Sequence, residues 1–136
     1  NYTTEVSLEE LFKHTDILSI HLPLSEETKH YVNAIFLNDF KKNIYVINTA
    51  RGNNIKTEDL ITALQSGKVL GACLDVLEFE SKSFELEQHH NQAFEYLKNA
   101  ENVILSPHVA GWTRESYQKL AEYLANKIEI FFRQNS

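Results

Sequence analysis

A short apolar run that stops abruptly at a polar residue constrains this chain more than any other feature. Residues 44–47, Ile-Tyr-Val-Ile, are mostly β-branched and are followed at once by Asn48. Such a run predicts a strand buried on both faces, as in parallel sheets. Small or polar residues follow, and then come Arg51 and Gly52. An arginine just past the carboxyl end of such a strand points into the crevice where open α/β sheets bind ligands.

Similar apolar runs recur along the chain and alternate with segments of helical periodicity. Four runs predict strands, and one further segment predicts a short edge strand: residues 17–22, 44–47, 69–76 and 103–105, and residues 2–6. Helices are expected after the N-caps Ser7 and Asn33, at residues 57–66 before the C-cap Gly67, at residues 92–97, and after the N-cap Thr113. The alternation predicts βαβ units and therefore a parallel sheet.

Composition narrows the functional classes. The net charge of −6 argues against a nucleic-acid partner, which would favour a basic face. No apolar run approaches the ~20 residues that cross a bilayer, which argues against a membrane protein. The single cysteine, Cys73, predicts a reducing, cytoplasmic location. The chain begins at Asn1 and contains no methionine, so we expect it to be part of a longer polypeptide.

Three loops are expected at one edge of the sheet, because right-handed crossovers bring the carboxyl ends of parallel strands together. They carry a histidine, carboxylates and an arginine: Arg51 in residues 49–52, Glu78 and Glu80 after Asp75, and His108 in residues 107–111. A histidine exchanges a proton near neutral pH, and a neighbouring carboxylate orients its ring. The planar fork of an arginine holds a carboxylate. The pattern predicts a proton-transfer site.

Each of these residues also has a structural interpretation. His108 alone is typical of a hydrogen-bonded loop histidine, Glu80 of solvated surface, Asp75 of a turn cap and Arg51 of an exposed loop. The other histidines are expected to be structural or exposed: His14, His21, His30, His89 and His90. The adjacent pair at 89 and 90 lacks cysteine or acidic residues at ligand spacing, so no metal site is predicted.

Four motifs together carry a family resemblance. They are His21-Leu22-Pro23-Leu24 followed by Glu27-Thr28, then Asn48-Thr49-Ala50-Arg51-Gly52, then Gly71-Ala72-Cys73-Leu74-Asp75-Val76 with Glu80, and Ser106-Pro107-His108. In this order and spacing they resemble the D-isomer-specific 2-hydroxyacid dehydrogenase family, in its phosphoglycerate dehydrogenase-like form. The resemblance extends from Val6 to about Leu124.

The resemblance implies an α/β fold, specifically the second half of a Rossmann-type, doubly wound parallel sheet. Residues 1–136 would form a partial NAD-binding domain. The four glycines, Gly52, Gly67, Gly71 and Gly111, make no G-x-G-x-x-G, so the phosphate-binding half and the substrate domain are expected outside this chain. NAD is the family's default cofactor, with NADP left open, and the family implies a homodimer.

The resemblance also implies an activity and the residues that perform it. The activity is NAD-dependent interconversion of a D-2-hydroxy acid and its 2-keto acid by hydride transfer. His108 matches the general acid/base, Glu80 its paired carboxylate, and Arg51 the group that binds the substrate carboxylate. The implied cofactor-binding positions are Leu22 and Pro23 on the adenine side, Thr49, Ala50, Arg51, His108 and Gly111 near the nicotinamide, and Asp75 at its carboxamide.

The chain departs from the family pattern at three places. Ser81, not proline, follows Glu80; Asn53-Asn54 follow Gly52; and residues 81–99 form a long acidic segment that bears on substrate access. None of these departures removes a catalytic residue. Some relatives use the fold as a nucleotide-sensing scaffold for protein partners, including transcriptional corepressors. A non-enzymatic NAD-sensing protein is therefore the alternative function.

Overall fold

The computed structural model describes residues 3–80 and 92–134, which form a four-stranded parallel sheet with helices between the strands. The strands are β1 (Ile17–Ile20), β2 (Ile44–Asn48), β3 (Val69–Leu74) and β4 (Val103–Leu105), and they lie in that order across the sheet. The helices are α1 (Leu8–His14), α2 (Ala34–Asp39), α3 (Thr57–Gln65), α4 (Gln92–Asn99) and α5 (Arg114–Gln134). The predicted α/β fold with a parallel sheet is confirmed.

The helix ends follow local sequence signals. The Ser7 hydroxyl accepts the N–H of Glu10 at 3.3 Å, and the Asn33 side chain accepts the N–H of Phe36 at 3.1 Å. Before α5, the Thr113 hydroxyl accepts the N–H of Ser116 at 3.1 Å. Gly67 follows α3 with φ 74°, the left-handed conformation that a glycine adopts at low steric cost. The predicted caps are confirmed.

Two of the four strands are shorter than their apolar runs predict. The predicted strand 17–22 ends at Ile20, and the predicted strand 69–76 ends at Leu74. Both end level with Asn48, the last residue of β2, which pairs with Ile20 on one side and with Leu74 on the other. The edge strand predicted at residues 2–6 is wrong over residues 3–6, which are not in a strand, and Tyr2 lies outside the described residues.

The described sheet is covered on one face. Each crossover steps to the next strand in the same direction, and right-handed crossovers of this kind place their helices on one side. On that side Ile44, Val46 and Val69 are fully buried. On the other side Tyr45 is 51% exposed and Ile104 is 67% exposed. The prediction that the 44–47 strand is buried on both faces is therefore wrong for the described residues.

The first and last helices differ in how they pack. α1 contributes Phe12, whose ring makes edge contacts with Phe36 at 5.1 Å and Phe40 at 5.0 Å between centroids. α5 has no buried residue in the described structure, although its apolar side chains recur with the predicted helical spacing. No described helix combines the length and the apolar character that crossing a membrane requires.

Candidate active site

A histidine and a glutamate meet at the carboxyl end of the sheet. Nδ1 of His108 lies 2.7 Å from Oε2 of Glu80, and the two side chains are 24% and 16% exposed. The other oxygen of Glu80 accepts the N–H of Leu77 at 2.6 Å. Because both carboxylate oxygens are engaged, the carboxylate is fixed in front of the imidazole ring. The structure thus brings together the histidine and the carboxylate that the sequence placed in different loops.

Asp75 holds the loop that carries His108. Its carbonyl oxygen accepts the N–H of His108, and its carboxylate accepts the N–H groups of Val109 and Ala110, each at 2.9 Å. The Ser106 hydroxyl donates to the same carboxylate at 2.5 Å. The loop needs this support because His108 has φ 55°, a left-handed conformation that a non-glycine residue rarely adopts.

The environment of Asp75 favours its ionised form. The residue is 5% exposed, and burial alone would raise the pKa of its carboxyl group. Hydrogen bonds from Ser106, Ala110 and Val109, together with the nearby His108, outweigh burial and lower the pKa of Asp75 below its ordinary value. A buried, ionised carboxylate therefore organises the turn behind the histidine.

Arg51 belongs to a neighbouring loop that is shaped by Asn48. The buried Asn48 side chain donates to the carbonyl of Arg51 at 3.0 Å and accepts the N–H of Ala50 at 3.0 Å. The Arg51 side chain is exposed, and its Nη1 donates to the carbonyl of Ala50 at 2.6 Å. The backbone of this loop is thus fixed from the strand end, while the guanidinium faces solvent.

Two cavities lie at this edge of the sheet. A groove of about 560 Å³ is lined by the predicted cofactor positions Leu22, Pro23, Thr49, Ala50 and Arg51, together with His21 and Leu24. A second cavity of about 340 Å³ is lined, among the described residues, by Glu80 and His108 with Leu77, Phe94, Leu105, Ser106 and Pro107. Of the remaining predicted positions, Asp75 lies beneath the histidine loop and Gly111 is exposed after it.

Gly52 joins the arginine loop to the glutamate loop. A Cβ atom on Gly52 would lie 2.0 Å from the carbonyl oxygen of Leu77 and 2.5 Å from the N atom of Glu78. Real Cβ atoms essentially never approach backbone this closely, so only glycine fits here. The residue after Arg51 therefore touches the segment that ends at Glu80.

The supporting contacts of Asn48, Ser106 and Glu78 were not predicted from the sequence. Asn48 had a usable signal, since it is a polar residue that closes a buried strand and must bond to backbone. Ser106 also has a local signal, because it lies two residues before His108 and its hydroxyl reaches Asp75. Glu78 faces His30 in the described structure, with Oε1 and Nε2 at 2.6 Å.

No group of three or more His, Cys, Asp or Glu side chains that could hold a metal occurs within residues 3–80 and 92–134. His89 and His90, and the acidic segment up to residue 91, lie outside the described residues. The remainder of the long acidic segment, residues 92–99, forms α4 as the prediction for residues 92–97 expected.

Comparisons with known proteins identify similar sequences. Residues 1–110 match the model of the D-isomer specific 2-hydroxyacid dehydrogenase, NAD binding domain. The chain is 42% identical over 121 residues to glyoxylate reductase of Thermofilum pendens, covering 89% of this chain and 33% of that protein. It is 36% identical over 129 residues to D-lactate dehydrogenase of Lactiplantibacillus plantarum, covering 92% of this chain and 39% of that protein.

A solved structure shows the same architecture. The NAD complexed form of a D-isomer specific 2-hydroxyacid dehydrogenase from Lactobacillus delbrueckii ssp. bulgaricus superposes with a TM-score of 0.77 at 32% identity. The match covers 92% of this chain and 39% of that one, so the chain spans about two fifths of this relative. The family match covers most of the chain, and the chain belongs to the D-isomer specific 2-hydroxyacid dehydrogenase family.

Proposed function

We propose that the protein is an NAD-dependent oxidoreductase that interconverts a D-2-hydroxy acid and its 2-keto acid. The observation that carries this proposal is the 2.7 Å contact between His108 and Glu80 beside a cavity of about 340 Å³. Relatives with matching sequences are a glyoxylate reductase, a D-lactate dehydrogenase and a hydroxypyruvate reductase. These names share a small 2-keto acid or 2-hydroxy acid as the substrate class.

The cofactor would occupy the groove of about 560 Å³ at the ends of β1 and β2. Leu22 and Pro23 offer an apolar wall for the adenine side, and Thr49 and Ala50 line the part of the groove proposed for the nicotinamide side. Gly111 is assigned to the nicotinamide side by the family resemblance alone. When bound, NAD accepts or supplies the hydride. An ionised carboxylate has about four acceptor positions, so Asp75 keeps capacity for the carboxamide beyond the three donors that it holds. The choice of NAD over NADP rests on the family's NAD binding domain.

His108 would move the proton. Because Nδ1 faces the Glu80 carboxylate, we assign proton exchange with the substrate oxygen to the other ring nitrogen, Nε2. In reduction the protonated ring gives that proton to the forming alkoxide, and in oxidation the neutral ring takes it back. Glu80 keeps the ring oriented and faces the imidazolium with a negative charge.

Arg51 would bind the substrate carboxylate. Its side chain is exposed in the cofactor groove, where Nη1 donates to the carbonyl of Ala50 at 2.6 Å. A guanidinium holds a carboxylate through two parallel hydrogen bonds. The same positive charge stabilises negative charge that develops on the keto oxygen during reduction.

The test is a stereochemical assay of the full-length protein that contains this chain. NADH oxidation is followed with glyoxylate, pyruvate and hydroxypyruvate, and the configuration of the lactate formed from pyruvate is determined. We expect turnover with a D product, and His108→Gln should lower turnover by about 10²-fold or more. His14→Gln, an exposed histidine on α1, is the matched control and should leave turnover unchanged.

Two outcomes would contradict the proposal. Formation of L product would contradict the proposed D stereochemistry. Normal turnover of His108→Gln would contradict the proposed role of His108 as the acid/base. NAD binding without turnover of any 2-keto acid would instead favour the non-enzymatic, NAD-sensing alternative. The family resemblance also leads us to propose a homodimer, which light scattering tests. The single cysteine leads us to propose a cytoplasmic location, which cell fractionation tests.

A further inference from the structure

Glu78 lies two residues before Glu80 and bonds in a different direction. Its Oε1 is 2.6 Å from Nε2 of His30, and its Oε2 accepts the N–H of Thr57 at 2.9 Å. The side chains of Glu78 and His30 are 18% and 34% exposed. A single carboxylate therefore connects the loop after β3, the loop after β1 and the first residue of α3.

The contact with Thr57 acts as a helix cap supplied from a distance. The first N–H groups of an α-helix have no partner within the helix, and Lys56, which precedes α3, makes no side-chain cap bond. Glu78 fills this place with a negative charge, which the positive end of the helix dipole favours. The start of α3 is thus tied to the glutamate loop.

The loop that carries His30 also contacts the turn Gly52–Asn54. The N–H of His30 donates to the carbonyl of Asn53 at 2.7 Å, and the N–H of Val32 donates to that of Asn54 at 3.0 Å. On the opposite side, Gly52 touches the backbone of Leu77. The 3₁₀ turn Gly52–Asn54, which follows Arg51 directly, is therefore enclosed between two loops that the Glu78–His30 contact joins.

We propose that Glu78 and His30 are positioning residues for Arg51. Their contact fixes the turn Gly52–Asn54 and the start of α3. Together with the Asn48 side chain, which donates to the carbonyl of Arg51, these elements determine where the backbone of Arg51 directs its guanidinium. Neither residue lines the groove that contains Arg51. The inference rests on the proposed function in one respect, namely that Arg51 binds the substrate carboxylate.

The kinetic test uses the full-length protein and a matched control. Glu78→Ala should lower kcat/KM for 2-keto-acid reduction by about 10- to 10²-fold, because a small misplacement of a positioning group has effects of that size. Glu78→Gln keeps an amide oxygen for the N–H of Thr57 and an N–H for a neutral imidazole, so it should recover most of the loss. Asp59→Ala is the control, because Asp59 caps α2 through Ala34 at 2.8 Å and is equally buried at 18% exposure.

A double-mutant cycle separates positioning from general stabilisation. If Glu78 acts through Arg51, Glu78→Ala should change kcat/KM by less than about twofold when Arg51→Lys is already present, because coupled residues are not additive. Equal effects of Glu78→Ala in both backgrounds would overturn the proposal. So would a loss of kcat/KM in Asp59→Ala as large as that in Glu78→Ala.

A measurement that needs no turnover completes the test. Backbone amide exchange of residues 52–57 should accelerate in Glu78→Ala and stay at the wild-type rate in Asp59→Ala, since only the first variant releases the turn. Unchanged exchange in Glu78→Ala would overturn the positioning role even if activity fell. Absence of turnover in the wild type would instead overturn the proposed function, and the exchange rates would still decide whether Glu78 holds the turn.

Discussion

The carboxylate of Glu80 faces His108 with one oxygen and the backbone of its own loop with the other. The two distances are 2.7 Å to Nδ1 of His108 and 2.6 Å to the N atom of Leu77. A carboxylate held at both oxygens cannot turn away from the ring without losing a backbone bond. The orientation of the proposed acid/base is therefore set by the loop after β3, although the histidine itself follows β4.

Glu80→Gln should slow the proposed reaction. The amide keeps the shape of the side chain but removes the negative charge that faces Nδ1 of His108 at 2.7 Å. An imidazolium at this position then lacks its opposite charge, so kcat/KM for keto-acid reduction should fall. The measurement is kcat/KM in the full-length protein, with the exposed Glu95→Gln on α4 as control. Equal kcat/KM in Glu80→Gln and in the wild type would contradict the pairing.

Arg51→Lys should not behave as a conservative change. Lysine keeps the positive charge but loses the planar fork that holds a carboxylate through two bonds. We expect a higher KM for the 2-keto acid and a lower kcat together. Steady-state kinetics of the full-length protein provide the measurement, and Arg133→Lys, an exposed arginine of α5, is the control. If both parameters equal those of the wild type, Arg51 is an ordinary loop residue.

Asp75 should contribute stability that acid removes. Its pKa is lower in the folded protein than in an unfolded chain, so this stability is present above the unfolded value of about 3.9. It is lost as the pH falls through the lower, folded pKa. Asp75→Asn should therefore be less stable than wild type near neutral pH, and the difference should narrow toward acid. Urea denaturation at several pH values measures the free energy of unfolding of each variant, with the exposed Asp39→Asn as control. A difference between Asp75→Asn and wild type that stays constant with pH would contradict this prediction.

Gly52→Ala should destabilise the fold more than an ordinary glycine substitution. The new methyl group would lie 2.0 Å from the carbonyl oxygen of Leu77, so one of the two loops must move. We expect the free energy of unfolding to fall by about 3 kcal/mol. Gly111→Ala is the matched control, because a Cβ there meets nothing within 4 Å, and its change should stay within about 0.5 kcal/mol. Equal stability of the two variants would contradict the close approach.

Local signals in the sequence predicted most of the secondary structure. Ser7 and Asn33 identified helix starts because capping depends on a few neighbouring atoms. Apolar periodicity located β2 and α5. The carboxyl ends of β1 and β3 and the exposure of Tyr45 were predicted wrongly, because both depend on which elements lie alongside. Ile20 pairs with Asn48 only in the folded sheet, so a short stretch of sequence cannot predict this pairing.

The sequence predicted which residues belong to the candidate site better than it predicted the contacts between them. The motifs indicated His108 and Glu80, and their contact joins residues 28 positions apart. Arg51 was indicated too, yet its loop is held by Asn48 and enclosed by Glu78 and His30. Those supporting contacts depend on the relative placement of three loops, and only the folded chain determines that placement.

At His108 a strained, left-handed backbone and the side chain proposed for proton transfer belong to the same residue. A non-glycine residue at φ 55° carries a conformational cost of about 1–2 kcal/mol, which glycine would relieve. Stability at this position is therefore a balance between the backbone strain that glycine would relieve and the contact with Glu80 that glycine would lose. The same substitution would delete the imidazole ring. A stabilised version of this protein that keeps its proposed activity must take its gains elsewhere in the chain.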